Sequence, residues 1–151
     1  TPLTQGMAFD GQPRFSPDGQ SVVFVSDRSG GDAVWTISLD MTDTTRITRG
    51  ERSSFQSPEW TPDGNYIVAT RQGPGQGKLW MYHREGGGGI QLIEDPANAR
   101  TMGAAFGADD RYIWYGRRTG TWQSPPRQLS STFSDAGYLI RRLPHPRSCF
   151  F

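Results

Sequence analysis

Phe15-Ser16-Pro17-Asp18-Gly19 returns as Trp60-Thr61-Pro62-Asp63-Gly64, and a worn copy follows at Phe106-Gly107-Ala108-Asp109-Asp110. In each, an aromatic residue closes an extended run. Proline pre-sets φ for the first corner of a turn, Asp tolerates the second, and Gly takes the positive-φ position. Between two apolar runs such a stretch predicts a hairpin. One copy would be an ordinary turn. The spacing makes it more: Asp18 to Asp63 is 45 residues, and Asp63 to Asp109 is 46.

The period extends through the rest of each unit. An apolar strand follows each turn, at Ser21-Val22-Val23-Phe24-Val25-Ser26, Tyr66-Ile67-Val68-Ala69-Thr70 and Tyr112-Ile113-Trp114-Tyr115-Gly116. A polar, Gly-rich loop leads to a strand centred on Trp, Ala33 to Leu39 and then Lys78 to His83, with Trp35 and Trp80 again 45 apart. A last short strand is expected at Ile47-Thr48 and Leu92-Ile93. Each unit holds four short strands and no helix-period segment. Four strands in about 45 residues form the blade of a β-propeller. The predicted fold is all-β: an incomplete propeller of four-stranded blades, with two full blades and a partial third.

Composition is compatible with that class. At 151 residues the chain can hold a real core. Its 19 Gly and 11 Pro suit many tight turns, and 12% aromatics argue against disorder. A net charge of +1 supplies no general attraction to nucleic acid or to an anionic membrane. No apolar run approaches the roughly 18 residues of a membrane-spanning helix. The single cysteine, Cys149, excludes an internal disulfide.

The repeat also divides the chain. Residues 1–6 read as the end of a preceding blade, because Leu3 precedes Ile47 by 44. Residues 7–50 form a first unit, 51–95 a second and 96–123 a partial third. Residues 124–151 are a non-conforming tail: where a third Trp-centred strand is due, the sequence reads Ser124-Pro125-Pro126-Arg127, and prolines cannot donate to a sheet ladder. Tyr138 to Leu143 retains the capacity to pair as a strand before Pro144-His145-Pro146 ends it. The expected cause of the break is a reading-frame change or a truncated gene. The opening residues, Thr1-Pro2-Leu3-Thr4-Gln5-Gly6, read as part of a repeat and not as an initiator Met or a signal peptide.

The pattern Pro-x-Phe-Ser-Pro-Asp-Gly, apolar strand, Ser26-Asp27-Arg28, Trp-centred strand and Ile47-Thr48 resembles the repeats of TolB-like propellers, a WD-repeat-like family. Details such as Met7-Ala8-Phe9-Asp10, Leu79-Trp80-Met81-Tyr82-His83 and Arg111-Tyr112-Ile113-Trp114-Tyr115 resemble the propeller half of large secreted metal-dependent amidohydrolases. The resemblance covers residues 1–123. It implies a periplasmic or secreted protein that binds rather than reacts, with a protein or peptide partner, or an attached catalytic domain in a longer parent.

Motifs for chemistry are sparse. Gly73-Pro74-Gly75-Gln76-Gly77-Lys78 is one residue short of a phosphate loop, lacks the following Ser/Thr, and leads into a strand. It reads as a loop between strands. Gly86-Gly87-Gly88-Gly89 reads as a hairpin loop. The two histidines, His83 and His145, have no metal-ligand spacing, no G-x-S-x-G elbow occurs, and Cys149 has no histidine beside it to activate it. No catalytic residue, cofactor or metal is expected. Asp18, Asp63 and Asp109, with Pro17, Gly19, Pro62 and Gly64, are assigned to the turns, since one carboxylate per turn falls far short of a calcium site.

In the TolB-like arrangement the segments between units lie nearest the central channel. Here these are residues 7–12, 51–57 and 96–103. Asp10, Gln12, Arg52, Ser54, Gln56, Asn98 and Arg100 form a mixed polar set suited to a ligand or peptide, with ordinary loop polarity as the alternative. The function read from the sequence is a non-catalytic propeller module for protein or ligand binding. The alternative is the accessory, substrate-gating domain of a secreted amidohydrolase or peptidase. Terminal blades with no neighbour should expose apolar faces and favour self-association.

Overall fold

The computed structural model describes residues 2–49, 53–73, 77–94, 99–106, 112–119 and 137–142. These residues form no helix. They contain eleven strands in three antiparallel sheets. The first sheet runs in chain order through β1 (Asp10–Phe15), β2 (Ser21–Ser26), β3 (Ala33–Ser38) and β4 (Thr44–Arg46). The second repeats it with β5 (Ser54–Trp60), β6 (Tyr66–Gln72), β7 (Gly77–His83) and β8 (Ile90–Gln91). The third contains β9 (Ala99–Phe106), β10 (Tyr112–Thr119) and β11 (Gly137–Arg142), with β10 in the middle. This is a partial propeller of meandering sheets.

The turn that defines the period is built identically twice. Ser16 donates from Oγ to Asp18 Oδ1 at 2.5 Å, and Thr61 does the same to Asp63 at 2.6 Å. Each carboxylate also accepts the amide two residues on, Gln20 at 3.0 Å and Asn65 at 3.1 Å. Each hydroxyl in turn accepts the amide that opens the next strand, Ser21 at 2.9 Å and Tyr66 at 3.0 Å. Gly19 and Gly64 take φ of 68° and 69°, the left-handed corner that needs no Cβ. Asp109 lies outside the described residues.

The sheets stack through interlocking apolar faces. Val23, Val34 and Ile47 of the first unit pack on Phe55, Trp60, Ile67, Ala69 and Tyr82 of the second. One unit later, Val68, Leu79, Leu92 and Ile93 pack on Ile113 and Tyr115 of the third. On the other side of the first sheet, Val22, Phe24 and Ile37 receive Leu3, the residue 44 positions before Ile47. The hairpin between β7 and β8 reaches back over the first unit: a Cβ at Gly86 would stand 3.2 Å from the Arg46 carbonyl, so glycine allows the approach.

Two features depart from the sequence reading. The short fourth strands are Thr44–Arg46 and Ile90–Gln91, and Ile47 and Leu92 follow them as plugs of the core. Their amides still bond the carbonyls of Val34, at 2.9 Å, and Leu79, at 3.0 Å. Apolar character in this part of the repeat marks burial between sheets rather than ladder pairing. The equivalent strand-centre positions of Trp35 and Trp80 predict largely buried rings, but both are half-buried, with the guanidiniums of Arg28 and Arg71 rather than a neighbouring sheet over their rings at 5.3 and 4.7 Å. Among the described residues the buried tryptophan is Trp60. In the third sheet Gly137–Arg142, overlapping the run Tyr138 to Leu143 that the sequence left able to pair, supplies a strand that pairs Tyr112 with Arg142 through Arg117 with Gly137.

Candidate functional site

The inner strands β1, β5 and β9 open their respective sheets and lie side by side, β1 against β5 and β5 against β9. Each breaks register once. In β1 the pairing steps from Gly11 to Arg14 while β2 advances from Val25 only to Val23. In β5 it steps from Gln56 to Glu59 against Thr70 to Val68. In β9 the extra residue lies between Met102 and Ala104. The residue in the left-handed region at each bulge is Gln12 (φ 56°), Ser57 (φ 51°) and Gly103 (φ 63°). Two of these carry a Cβ, and such strain, about 1–2 kcal/mol for an L residue, persists only where the surroundings impose it.

Proline follows the first two, at Pro13 and Pro58, 45 apart. It cannot donate to the ladder, so it suits the position where pairing is interrupted. The bulge amide of each later blade is then tied to the blade before it. Ser57 donates its amide to Gln12 Oε1, whereas Gly103 donates to Thr70 Oγ1 at 3.1 Å. Nearby, Arg14 Nε meets Glu59 Oε2 at 3.3 Å, and Trp60 Nε1 donates to the Arg14 carbonyl at 3.3 Å. Burial pushes the Glu59 carboxyl upward, and Arg14 offsets only part of that.

The sequence-predicted residues divide on this frame. Asp10 is engaged within the fold: its two carboxylate oxygens accept Arg28 Nη2 at 2.9 and 3.0 Å, and Arg28 Nε bonds Ser26 Oγ at 3.0 Å. Burial acts to raise the Asp10 carboxyl, but hydrogen bonds from Ser26, Arg28 and Thr4 outweigh it and hold it below its usual value. The same guanidinium lies 4.9 Å from the Phe24 ring. Gln12 and Gln56 are exposed on neighbouring inner strands, and Ser54 is half-buried at the start of β5. Arg100 is exposed on β9, in register with Arg118 of β10. Arg52 and Asn98 lie outside the described residues, as do His145 and Cys149. Pro17, Asp18, Gly19, Pro62, Asp63 and Gly64 all occupy the two turns.

His83 ends β7, within 3.8 Å of Glu85 and edge-on to Tyr66 at 5.4 Å, away from the inner strands. Among the described residues no three His, Cys, Asp or Glu side chains gather as a metal site would require. What the rim offers is hydrogen bonding: exposed amide and guanidinium side chains beside interrupted strand ladders. The bulge row was not identified from the sequence. Its signal was Gln12-Pro13 recurring as Ser57-Pro58 at the repeat spacing.

The profile of the TolB beta propeller domain matches residues 1–132. The chain belongs to that family. The Tol-Pal system protein TolB of Bordetella pertussis is 45% identical over 38 residues, which is 25% of this chain and 9% of that protein. An uncharacterised protein of Agrobacterium fabrum is 30% identical over 83 residues, 55% of this chain and 28% of that one. The chain thus spans a minor part of the TolB relatives it matches. The crystal structure of TolB from Acinetobacter baumannii superposes with a TM-score of 0.69 at 21% identity, over 93% of this chain and 31% of its own. A puromycin-hydrolysing peptidase of Mycobacterium tuberculosis superposes at 0.61 with 18% identity, over 76% of this chain and 20% of its own. At these identities the superpositions establish the shared TolB-like fold. The TolB profile runs past residue 123, where the repeat fades in the sequence. No helix of the described residues is long and apolar enough to cross a membrane.

Proposed function

We propose that this chain is a binding module, holding a protein or peptide partner against the rim formed by its inner strands. The observation that carries the reading is the alignment of three bulged strands. Gln12, Ser57 and Gly103 stand at one position of each repeat, with Gln12, Gln56, Ser57 and Arg100 exposed around them. Bulges interrupt pairing and re-aim side chains, and an extended peptide can bond to interrupted ladders. The name of the Bordetella relative, a Tol-Pal system protein, agrees with a role among protein partners. We propose a location in the periplasm or outside the cell, a reading that the relationship to TolB supports.

A panel of extended decapeptides titrated against the chain tests this. Binding should be weakened by Gln56→Lys and by Arg100→Glu, with the circular dichroism spectrum preserved. Peptide binding indifferent to both substitutions would refute the rim as the site. The isolated chain should hydrolyse no amide, ester or peptide substrate, with or without added zinc.

The second reading is an accessory propeller of a secreted peptidase or amidohydrolase. The superposition on the puromycin-hydrolysing peptidase favours the peptidase form of it. The gene sequence around these residues discriminates: this reading requires a catalytic domain encoded in the same frame.

A further inference from the structure

Three Asp-Gly bonds occur in the chain, at Asp10-Gly11, Asp18-Gly19 and Asp63-Gly64. Such bonds rearrange readily, because glycine has no side chain to shield its amide from the carboxyl before it. The glycine nitrogen adds to the Asp Cγ, its proton and the carboxyl hydroxyl leave together as water, and a succinimide ring closes. Water then opens the ring at either carbonyl. Opening at the backbone carbonyl leaves the chain running through the side chain, an isoaspartate of unchanged mass. Ring closure needs a free amide and a carboxyl able to swing onto it. It is favoured by the neutral acid, since an ionised carboxylate is a poor electrophile.

The two repeat turns withhold each of these. Gly19 donates its amide to the Ser16 carbonyl at 2.9 Å, and Gly64 donates to the Thr61 carbonyl at 2.8 Å. Asp18 Oδ1 is held by Ser16 Oγ at 2.5 Å and by the Gln20 amide at 3.0 Å. Asp63 Oδ1 is held by Thr61 Oγ1 at 2.6 Å and by the Asn65 amide at 3.1 Å, and Asn65 Nδ2 reaches Oδ2 at 2.9 Å. The Ser16 bond keeps the Asp18 carboxyl below its ordinary value, and Thr61 and Asn65 do the same for Asp63 against its burial. Every one of these bonds lies inside its own turn, so what flanks the sheets does not alter them. Asp10 is held by a different route, with Arg28 Nη2 on both of its oxygens at 2.9 and 3.0 Å.

We propose that Asp18 and Asp63 are sites of isoaspartate formation, and that the hydroxyl of Ser16 or Thr61 is the latch that keeps each one unreacted. Isomerisation lengthens the main chain by one carbon and takes the carboxylate away from its hydrogen-bond donors. A single event therefore unmakes a turn permanently. A latched site reacts only during the fraction of time that its bonds are open.

Peptide mapping after timed incubation of the 151-residue chain in mildly acid buffer counts isoaspartate at each bond. In the folded chain Asp18 and Asp63 should react at least about tenfold more slowly than in the chain unfolded by urea. Ser16→Ala should speed Asp18 by about tenfold, the worth of one hydrogen bond to a charged group, and leave Asp63 and Asp10 at their wild-type rates. Thr61→Ala should do the reverse. Ser16→Thr, which installs the residue of the second turn, should keep Asp18 protected. A series in urea below the unfolding transition needs no variant and decides the matter even where one fails to fold. An opening confined to a turn exposes little surface, so both rates should stay flat across that series. The proposal is overturned if the folded chain reacts as fast as the unfolded one, or if a folded Ser16→Ala chain leaves the Asp18 rate unchanged. Rates that climb together at all three bonds as urea rises also overturn it, because protection would then belong to the whole fold and not to the latch.

Discussion

The first and second sheets share their register almost residue for residue, yet they complete the same ladder in different ways. In the first, Val34 of β3 donates its amide to Thr48 Oγ1 at 3.0 Å, within its own unit. In the second, the residue equivalent to Thr48 is Ile93, which has no hydroxyl. Leu79 of β7 donates instead to Thr101 Oγ1 at 3.1 Å, on the inner strand of the third sheet. Lys78 beside it reaches the Ala99 carbonyl at 2.7 Å. A buried amide must find an acceptor. When one repeat loses its own, a neighbour supplies it, and a requirement local to one sheet becomes a bond between two.

The comparison is broken most severely at the aromatic position before the turn. Trp60→Ala should cost about 3–5 kcal/mol, the range for truncating a buried aromatic residue. Phe15→Ala should cost well under that, about 1 kcal/mol or less, because Phe15 is mostly in water. Chemical denaturation of dilute protein measures both. Equal losses would mean that the first sheet is as enclosed as the second.

The threonines come next. Thr101→Val and Thr48→Val each leave a buried amide without its acceptor, at about 1–3 kcal/mol. Hydrogen exchange separates them. Thr101→Val should speed exchange at Leu79 and loosen the third sheet, while Thr48→Val should speed exchange at Val34 and leave the third sheet protected. Identical exchange maps would show that the two bonds do not differ in reach.

The turns should respond alike, which sharpens the contrast. Gly19→Ala and Gly64→Ala both force a Cβ into the left-handed region, at about 1 kcal/mol each. Neither Cβ would meet an atom closer than the 3.8 Å between Gly64 and Pro17, so strain alone should set the cost.

The smallest effect lies in acid. Burial tends to raise the Asp63 carboxyl, but hydrogen bonds from Thr61 and Asn65 outweigh it, leaving the folded-state pKa below the ordinary 3.8. Asp18, held chiefly by Ser16 and then by the Gln20 amide, is lowered as well. A lowered acid favours the folded state fully above its unfolded pKa, and that contribution fades as pH falls from 3.8 through the folded value. Asp63→Asn should flatten stability against pH in that window and leave its slope near neutrality unchanged.

Much of the fold was legible because the repeat is written in turn chemistry, which is local. Ser21–Ser26 matches β2 at both ends, and the Trp-centred runs match β3 and β7 to within a residue or so. Pro17-Asp18-Gly19 and Pro62-Asp63-Gly64 needed nothing beyond their own side chains to specify a turn. The fourth strands were misplaced because Thr44-Thr45-Arg46 is polar and the apolar signal belongs to Ile47 just beyond. The half-burial of Trp35 and Trp80 was hidden for another reason: the arginines over them come from positions 28 and 71, out of step with the repeat. The rim was only partly legible. Polarity pointed to Gln12 and Gln56, but it equally pointed to Asp10, whose charge is consumed by Arg28. Nothing in an isolated Gln or Ser announces a left-handed backbone; only the proline that follows, seen twice, does so.

The two threonines also set an order of events as the chain emerges during synthesis. Everything Val34 requires is present once residue 48 has been made, so the first blade can finish its ladder early. Leu79 must wait until residue 101 appears, 22 positions later. For that interval the second blade holds an open amide beside Ile93, and ribosome pausing within it would lengthen the exposure. The blade that looks best enclosed in the finished protein is thus the one most dependent on what is translated after it.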